Sequence, residues 1–363
     1  MSDPRIVMTL DAGGTWLKYS AVRGGTLLVE PFSVASESHD LERCLANIVR
    51  GFEMVRAKLP EPPVAISFAF PGPTDYRNGI ILDLPNLPGF RGGVALGPML
   101  QQRFGIPVFM NNDGDLFTYG EAMEGLLPWV NGMLETAGSR RRYRNLLGIT
   151  IGTGMGGGLV SNGQLFLGDN SAGFEVGLLR NKVEPARRVE YSVSISAVKR
   201  VYAREAGIPP EDAPEPSIIR DIALGTAAGN PAAAREAFRT MADAAGDAIA
   251  QALTLIDGLV VIGGGVAGAS DIFFPTLLAA INERYHTPEG LGPRVFSHAY
   301  NLEDAADRAA FLQDTPGEIP VPGSQTRVPY DPWKRVAVGT TRLGTSRAVA
   351  IGAYAFALAA MDT

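Results

Sequence analysis

Two glycine-rich turns, each set between two apolar strand-like runs, contain the residues best suited to bind a phosphate. The first is Asp11-Ala-Gly-Gly-Thr15 and the second is Gly152-Thr153-Gly154. Turns of this kind expose backbone N–H groups and a hydroxyl with no bulky side chain in the way, which suits an anion. One such turn alone is equally typical of an ordinary sheet connection. Because the strand–turn–strand pattern occurs twice, it indicates two related half-folds that bind a polyphosphate together.

A second group of polar residues follows an apolar run at residues 107–110, where the sequence reads Asn111-Asn112-Asp113-Gly114-Asp115. Asn and Asp are the commonest helix N-cap residues, so capping is one interpretation. Two Asn and two Asp exceed the needs of one cap, and a carboxylate at a strand end can act as a general base. The pattern supports capping and catalysis about equally.

Other loops add candidate ligand-binding residues. Pro71-Gly72-Pro73 ends an apolar run at its carboxyl end, where open α/β sheets bind ligands. Asn86 lies in a proline-stiffened loop, Glu175 in a glycine-spaced loop, and Glu190 just before a predicted helix. Gly263-Gly264-Gly265 follows a further apolar run, and its backbone would allow close approach of a flat ligand or a phosphate.

The segments around these residues alternate between strand and helix patterns, which predicts an α/β fold. Residues 41–55 place apolar side chains on one helical face, where we expect Cys44 to be buried, and Ser38 and Asp40 are available to cap this helix. The apolar stretch 348–361 predicts a buried C-terminal helix. Residues 128–145 are polar and basic, and residues 286–333 are rich in Pro, Gly and charge. We expect both of these segments to be inserted and irregular.

Composition limits the classes of function. A chain of 363 residues with 46% hydrophobic content favours two domains with full cores. A net charge of −6 argues against a nucleic-acid partner held through its phosphates. Cys44 is the single cysteine, so no intrachain disulfide can form, which fits a reducing cytoplasm. No segment has the pattern of a signal peptide or the length of a membrane span, so we expect a cytoplasmic protein with no membrane partner.

The order of the motifs resembles the ROK family of sugar kinases and repressors, within the actin-like, sugar kinase and Hsp70 ATPase superfamily. The resemblance covers the chain apart from 128–145 and 286–333. It rests on these segments in order: Asp11-Ala-Gly-Gly-Thr15 with Lys18, Pro71-Gly72-Pro73, Pro85-Asn86-Leu87-Pro88-Gly89, Asn112-Asp113, Gly152-Thr153-Gly154, Glu175-Val176-Gly177 and Gly263-Gly264-Gly265.

The resemblance implies a two-lobed actin-like ATPase fold, related to ribonuclease H, with mixed sheets flanked by helices and an interdomain cleft. Residues 1–120 and a C-terminal helix at about 346–363 would form the first lobe. Residues 121–345 would form the second lobe, with the nucleotide site. Family members are often dimers, so a homodimer is a further expectation.

The activity that the resemblance implies is ATP-dependent phosphorylation of a hexose hydroxyl, the 6-hydroxyl in glucokinase-type members, with Mg²⁺ and with Asp113 as general base. The implied sugar-binding residues are Gly72, Asn86, Asn112, Glu175 and Glu190. The implied nucleotide-binding residues are Asp11, Gly13, Gly14, Thr15, Lys18, Gly152, Thr153, Gly154, Gly264 and Gly265. Asp11 would also bind Mg²⁺ indirectly.

The chain departs from the family pattern in two places. Leu178 stands where the family commonly has a histidine, three residues after the glutamate matched to Glu175. The cysteine-rich zinc loop of the family is shortened here to about residues 179–189 and has no cysteine. We therefore expect no structural zinc site.

Several functions within the family stay open on the sequence alone. Only five residues precede the first predicted strand, so we expect no helix-turn-helix module and no repressor function. The acceptor could be glucose, an N-acetylhexosamine such as N-acetylmannosamine, or fructose. A sugar or nucleotide sensor without turnover is a further alternative, since the histidine is missing, although the presence of Asp113 argues against it.

Overall fold

The computed structural model describes residues 3–72, 74–84 and 87–363, so the predicted sugar ligand Asn86 lies outside the described residues. The chain forms two compact units. The first unit comprises Met1–Pro128, Gly156–Phe174 and Thr341–Thr363, and the second comprises Trp129–Met155 and Glu175–Thr340. The lobe boundaries predicted at residues 120 and 346 stay a prediction.

The elements alternate along the chain as the sequence pattern predicts. The strands are β1 (Val7–Ala12), β2 (Trp16–Arg23), β3 (Thr26–Ala35), β4 (Ala65–Ala69), β5 (Thr74–Asp75), β6 (Ile80–Ile81), β7 (Val108–Asn111), β8 (Asn145–Ile151), β9 (Met155–Ser161), β10 (Gln164–Leu165), β11 (Leu259–Gly263), β12 (Arg284–Thr287), β13 (Gly290–Pro293), β14 (His298–Asn301), β15 (Gly317–Pro320), β16 (Arg327–Tyr330) and β17 (Arg335–Thr340). The α-helices are α1 (Leu41–Arg56), α2 (Leu96–Phe104), α3 (Asp113–Met123), α4 (Leu126–Thr136), α5 (Ile195–Ala206), α6 (Pro216–Leu224), α7 (Pro231–Ile256), α8 (Ser270–Ile281), α9 (Ala305–Leu312) and α10 (Thr345–Met361).

The main sheet of the first unit is mixed and has the strand order β3-β2-β1-β4-β7. β1, β4 and β7 are parallel, and β2 and β3 are antiparallel to their neighbours. The register pairs Asp11 of β1 with Ala69 of β4, and Ala69 with Asn111 of β7. Because parallel strands end at the same edge of a sheet, the loops after Asp11, Ala69 and Asn111 leave that edge side by side.

The second unit contains four parallel strands, in which β8 pairs with β11, β11 with β17, and β17 with β14. The register pairs Thr150 of β8 with Gly263 of β11. The turn after β8 and the glycine run after β11 therefore leave the same edge next to each other. The predicted α/β class, with mixed sheets flanked by helices, is confirmed.

The core of the first unit follows from the amphipathic pattern of α1. Asp40 caps the helix by accepting a hydrogen bond from the N–H of Arg43, as its position before the apolar stripe predicts. Cys44, Ile48 and Phe52 are fully or almost fully buried beneath the sheet. The predicted core position of Cys44 is confirmed.

The helices α3 and α10 of the first unit approach each other as closely as two backbones can. A Cβ at Gly120 of α3 would collide with the carbonyl of Ala348, and a Cβ at Gly352 of α10 would collide with the carbonyl of Leu116. Tight packing of this kind excludes any larger residue at either glycine. The crossing therefore fixes α3, which begins at Asp113.

The prediction of an irregular loop at residues 128–145 is wrong. Helix α4 occupies Leu126–Thr136, with Val130 and Leu134 fully buried, and β8 begins at Asn145. Pro128 interrupts the helical pattern in the sequence, but it lies in the first turn of α4, where a proline costs no intrahelical hydrogen bond.

The prediction of an irregular excursion at residues 286–333 is wrong in part. β14 joins the parallel strands of the second unit, and α9 is capped by Asp304, which accepts hydrogen bonds from the N–H groups of Ala306 and Asp307. The strands here have four residues each, too few to show a clear period in a sequence rich in Pro and Gly.

The glycine contacts predict opposite outcomes for two glycine-to-alanine changes. Gly352→Ala should lower stability by at least about 1–3 kcal/mol, because the new methyl group overlaps backbone that cannot move aside. Gly132→Ala, at an exposed position of α4 with nothing within 4 Å of the added Cβ, should raise stability by about 0.5–1 kcal/mol. Thermal unfolding of both variants measures this. A Gly352→Ala protein that is as stable as the parent would contradict the close helix crossing.

Candidate active site

The loops at the carboxyl edge of the first sheet bring together Asp11, Gly72, Asn112 and Asp113. Adjacent strands in a sheet lie about 4.8 Å apart, so the row Asp11–Ala69–Asn111 spans about 10 Å. A Cβ at Gly72 would lie 3.9 Å from the side-chain nitrogen of Asn112, so these two predicted sugar ligands are neighbours. The Asn112 side chain lies 3.5 Å from the hydroxyl of Tyr76.

Asn112 is the cap of α3, and Asp113 is the first residue of the helix. The side-chain oxygen of Asn112 accepts a hydrogen bond from the N–H of Gly114 at 2.7 Å. The Oδ1 atom of Asp113 accepts from the same N–H at 2.9 Å, and the Asp113 residue is exposed. The capping interpretation of the Asn/Asp run therefore applies to Asn112. The catalytic interpretation remains available to Asp113, which is accessible to solvent.

The carboxylates of Asp113 and Asp11 are both held in environments that disfavour their charge. Burial of the carboxyl group among protein atoms raises the pKa of Asp113, and the hydrogen bond from Gly114 opposes this only in part. Burial also raises the pKa of Asp11, the negative charge of Asp113 raises it further, and Lys18 lowers it. Solvent still reaches Asp113, so its desolvation is incomplete. Two carboxylates close enough to repel each other form a donor set suited to a hard cation.

The start of α3 packs against Gly157 and Gly158 of strand β9, which follow Gly156 in a run of three glycines. A Cβ at Gly114 would lie 2.7 Å from the carbonyl oxygen of Gly157. A Cβ at Gly158 would lie 2.6 Å from the hydroxyl of Thr118. Three glycines inside a strand are a signal of close backbone approach, although no role was predicted for this run.

Ser346, in the first turn of α10, was not predicted as a site residue. Its hydroxyl accepts a hydrogen bond from Nζ of Lys18 at 3.1 Å and also bonds to the carboxyl group of Asp11. Lys18 lies opposite Asp11 in the β1–β2 register, so the three side chains form one cluster. No sequence signal links a serine 335 residues downstream to Asp11.

The turn that follows β1 is closed by its first glycine. The N–H of Gly13 donates to the carbonyl of Trp16 at 3.0 Å, which leaves the exposed Thr15 at the apex of the turn. The Gly14 carbonyl and the Thr15 carbonyl both bond to Ser36 of the neighbouring strand end. Thr15 is the most accessible of the predicted phosphate ligands in this turn.

The second glycine turn, within the second unit, is also closed by the N–H of a glycine, although it is one residue tighter than the first. The N–H of Gly152 donates to the carbonyl of Gly154 at 2.9 Å, and Thr153 is exposed at the apex. The carbonyl of Gly152 accepts from the N–H of Ile195, which joins the turn to the start of α5. Thr15 and Thr153 are thus the exposed threonines of two separately built turns.

The predicted adenine-side glycines lie beside this turn. Gly264 has a φ of +89°, and a Cβ there would overlap the backbone of Ile151 at the end of β8. A Cβ at Gly265 would lie 3.4 Å from the side chain of Ile195. The structure therefore brings Gly264 and Gly265 to the same edge of the sheet as the Gly152–Gly154 turn.

Glu190 lies against the second glycine turn, a contact that the sequence did not predict. A Cβ at Gly154 would lie 3.1 Å from Cδ of Glu190, and a Cβ at Gly177 would lie 3.2 Å from its Oε2. Glu175 precedes the short 3-10 helix Val176–Leu178 that carries Gly177, and the Glu175 residue is exposed. Leu178, the position that departs from the family pattern, is 58% exposed.

Residues 3–72, 74–84 and 87–363 contain no group of three or more His, Cys, Asp and Glu side chains placed to hold a metal ion. Within the same ranges, no helix combines the length and apolar character that crossing a membrane requires.

Comparison with known proteins identifies the family to which this arrangement belongs. The ROK family profile matches residues 7–306. The chain belongs to the ROK family. The resemblance inferred from the motif order is confirmed.

Relatives of the chain include glucokinases. A crystal structure of a glucokinase from Parabacteroides distasonis is 51% identical, with a TM-score of 0.87, over 98% of each chain. The glucokinase of Thermotoga maritima is 27% identical over 257 residues, which cover 66% of this chain and 75% of the relative.

A third comparison bears on the fold. A ROK family glucokinase from Streptomyces griseus, solved with glucose and AMPPNP, has a TM-score of 0.63 at 19% identity and covers 96% of this chain and 98% of its own. The predicted actin-like ATPase fold is confirmed by these structural likenesses.

Proposed function

We propose that this ROK sugar kinase transfers the γ-phosphoryl group of ATP to the 6-hydroxyl of a hexose, with glucose as the preferred acceptor. The observation that carries the proposal is the exposed carboxylate of Asp113 at the start of α3, beside a cap that Asn112 already supplies. A carboxylate that the helix does not need for capping is free to accept a proton. The 51% identity to a glucokinase over nearly the whole chain supports glucose as the acceptor.

Asp113 accepts the proton of the attacking hydroxyl as the new oxygen–phosphorus bond forms, while the bond between the γ-phosphorus and its bridging oxygen breaks and ADP leaves. A base is most effective when its pKa approaches the working pH, and protein atoms around Asp113 raise its pKa in that direction. Asn112 and Gly72, which lie side by side, hold the sugar ring next to this base.

Asp11 and Lys18 lie among the residues that bind the phosphates of the nucleotide and the Mg²⁺ ion. Mg²⁺ in protein sites commonly binds one or two carboxylates together with substrate phosphates, and Asp11 beside Asp113 fits that donor set. The ion, when bound, neutralises charge on the transferred phosphoryl group. Thr15 and the N–H of Gly14 offer donors to the phosphates, whereas the N–H of Gly13 is used to close the turn.

The remaining predicted ligands lie within the second unit. The exposed carboxylate of Glu175 and the half-buried carboxylate of Glu190 accept hydrogen bonds from sugar hydroxyls. Thr153 and the N–H of Gly154 offer donors to phosphate, while the N–H of Gly152 is occupied within the turn. Gly264 and Gly265 allow the nucleoside to lie flat against backbone.

The general-base role predicts a large, specific effect of Asp113→Asn. Turnover should fall at least about a hundredfold, because an amide cannot take the proton, while ATP affinity stays near that of the parent. Thermal stability should be unchanged or higher, since the raised pKa means that the folded protein disfavours the charge that this change removes. A coupled ADP-release assay and ATP titration measure these effects.

The matched control for this variant is Asp40→Asn, the same chemical change at a helix start, where asparagine caps as well as aspartate. It should leave turnover unchanged. A near-normal rate in Asp113→Asn would remove Asp113 from the base role.

The contact between Gly154 and Glu190 predicts a difference between two neighbouring alanine variants. Gly154→Ala should raise the KM for the sugar several-fold, because the methyl group displaces the Glu190 carboxylate. Gly152→Ala, with nothing within 4 Å of the added Cβ, should leave that KM unchanged. Steady-state kinetics with glucose varied at saturating ATP distinguish the two. An equal sugar KM in both variants would contradict a role of Glu190 in sugar binding.

A further inference from the structure

The loop that carries Glu190 is organised around a buried asparagine. Asn181 is fully buried, although the loop around it is largely exposed. Its backbone N–H donates to the carbonyl of Arg187 at 3.3 Å, and the N–H of Val189 donates to the carbonyl of Leu179 at 2.8 Å. These bonds draw the two arms of the loop together, with Asn181 between them.

The side-chain amide of Asn181 uses its full hydrogen-bonding capacity. Nδ2 donates to the carbonyl of Arg188 at 3.3 Å and to the hydroxyl of Ser192 at 2.8 Å. Oδ1 accepts from the N–H of Val183 at 3.0 Å and from the N–H of Glu184 at 3.1 Å. A primary amide offers two donors and an oxygen with two acceptor sites, so aspartate, alanine and leucine cannot make the same set.

The two bonds from Nδ2 fix the chain on both sides of Glu190. Arg188 precedes Glu190 by two residues, and Ser192 follows it by two. Arg188 also acts through its side chain, since its guanidinium donates to Oε1 of Glu190 at 3.1 Å. The Oε2 atom of Glu190 faces the position that a Cβ at Gly177 would occupy.

We propose that Asn181 is a positioning residue for sugar binding, and that it acts by holding Arg188 and Ser192 so that the Glu190 carboxylate keeps its place against Gly154 and Gly177. The inference rests on the proposed function, in which Glu190 contacts the sugar. Asn181 itself touches no substrate. Removal of the Asn181 side chain weakens sugar binding because the Glu190 carboxylate is no longer held in its orientation. A small misplacement of a ligand-binding group can have a large effect on rate and affinity.

The chain contains a matched control for a merely structural role. Asn131 joins a different loop of the second unit, where its side chain donates to the carbonyl of Tyr143 and accepts from the N–H of Tyr143, both at 2.9 Å. That loop carries none of the predicted site residues. Asn131→Ala therefore removes the same type of amide bridge without affecting Glu190.

The experiment compares Asn181→Ala, Asn181→Asp and Asn131→Ala by steady-state kinetics and thermal unfolding. Both Asn181 variants should raise the KM for glucose about tenfold or more, with the KM for ATP within about twofold of the parent. Asn181→Asp keeps the acceptor for Val183 and Glu184 and should unfold at a higher temperature than Asn181→Ala. Asn131→Ala should lower the unfolding temperature and leave both KM values unchanged.

Two outcomes would overturn the inference. One is a rise in the KM for ATP as well as for glucose in the Asn181 variants, and the other is the same kinetic change in Asn131→Ala.

A double-variant test separates this inference from the proposed function. If Asn181 acts through Glu190, Asn181→Ala combined with Glu190→Gln should raise the sugar KM no further than Glu190→Gln alone. Additive effects would overturn the positioning role. If Glu190→Gln leaves the sugar KM unchanged, the proposed role of Glu190 fails, and the inference fails with it.

Arg188→Ala keeps the test decisive if the Asn181 variants do not fold. The Arg188 side chain is 58% exposed, so its loss does not threaten the core. Arg188→Ala should raise the sugar KM, as Asn181→Ala does, because Glu190 loses its guanidinium partner. An unchanged sugar KM in Arg188→Ala would contradict the route through Glu190.

Discussion

The site in the first unit depends on backbone-to-backbone packing around α3. Gly114 at its start approaches Gly157 of β9, and Gly120 in its middle approaches the carbonyl of Ala348 in α10. Contacts without intervening side chains leave a helix little freedom to shift or rotate. The position of Asp113 is therefore set by residues that have no chemistry of their own, and small residues at these contacts are as necessary to the site as the carboxylate.

Charge is the second constraint on the site. Asp11 and Asp113 repel each other, and Lys18 with Ser346 offsets part of that repulsion from the side of Asp11. This arrangement costs folding free energy when both carboxylates are ionised, as is typical of sites that must bind a cation and keep a base reactive. In the second unit, Arg188 forms an ion pair with Glu190, as a cationic partner that fixes a carboxylate beside a glycine turn.

The sequence predicted the parts of this structure that depend on local pattern. The glycine turns, the strand ends that place Asp11 and Asp113 at one edge, the cap of α1 and the buried C-terminal helix are each specified within a few residues. It did not predict contacts between distant segments, such as Ser346 with Asp11 or Glu190 with Gly154. Helix α4 was missed because residues 128–145 are polar and basic as a whole, and because Pro128, which a first helical turn accommodates, interrupts the helical pattern in the sequence.

The pH dependence of kcat/KM for glucose tests the central claim that Asp113 is the base. Activity should fall as the pH falls and Asp113 takes up a proton, with the midpoint above the value of about 3.9 that is ordinary for aspartate, because burial raises its pKa. In Asp113→Asn, the residual activity should lose this acid limb. An acid limb that persists unchanged in Asp113→Asn would show that another group is the base and would contradict the account.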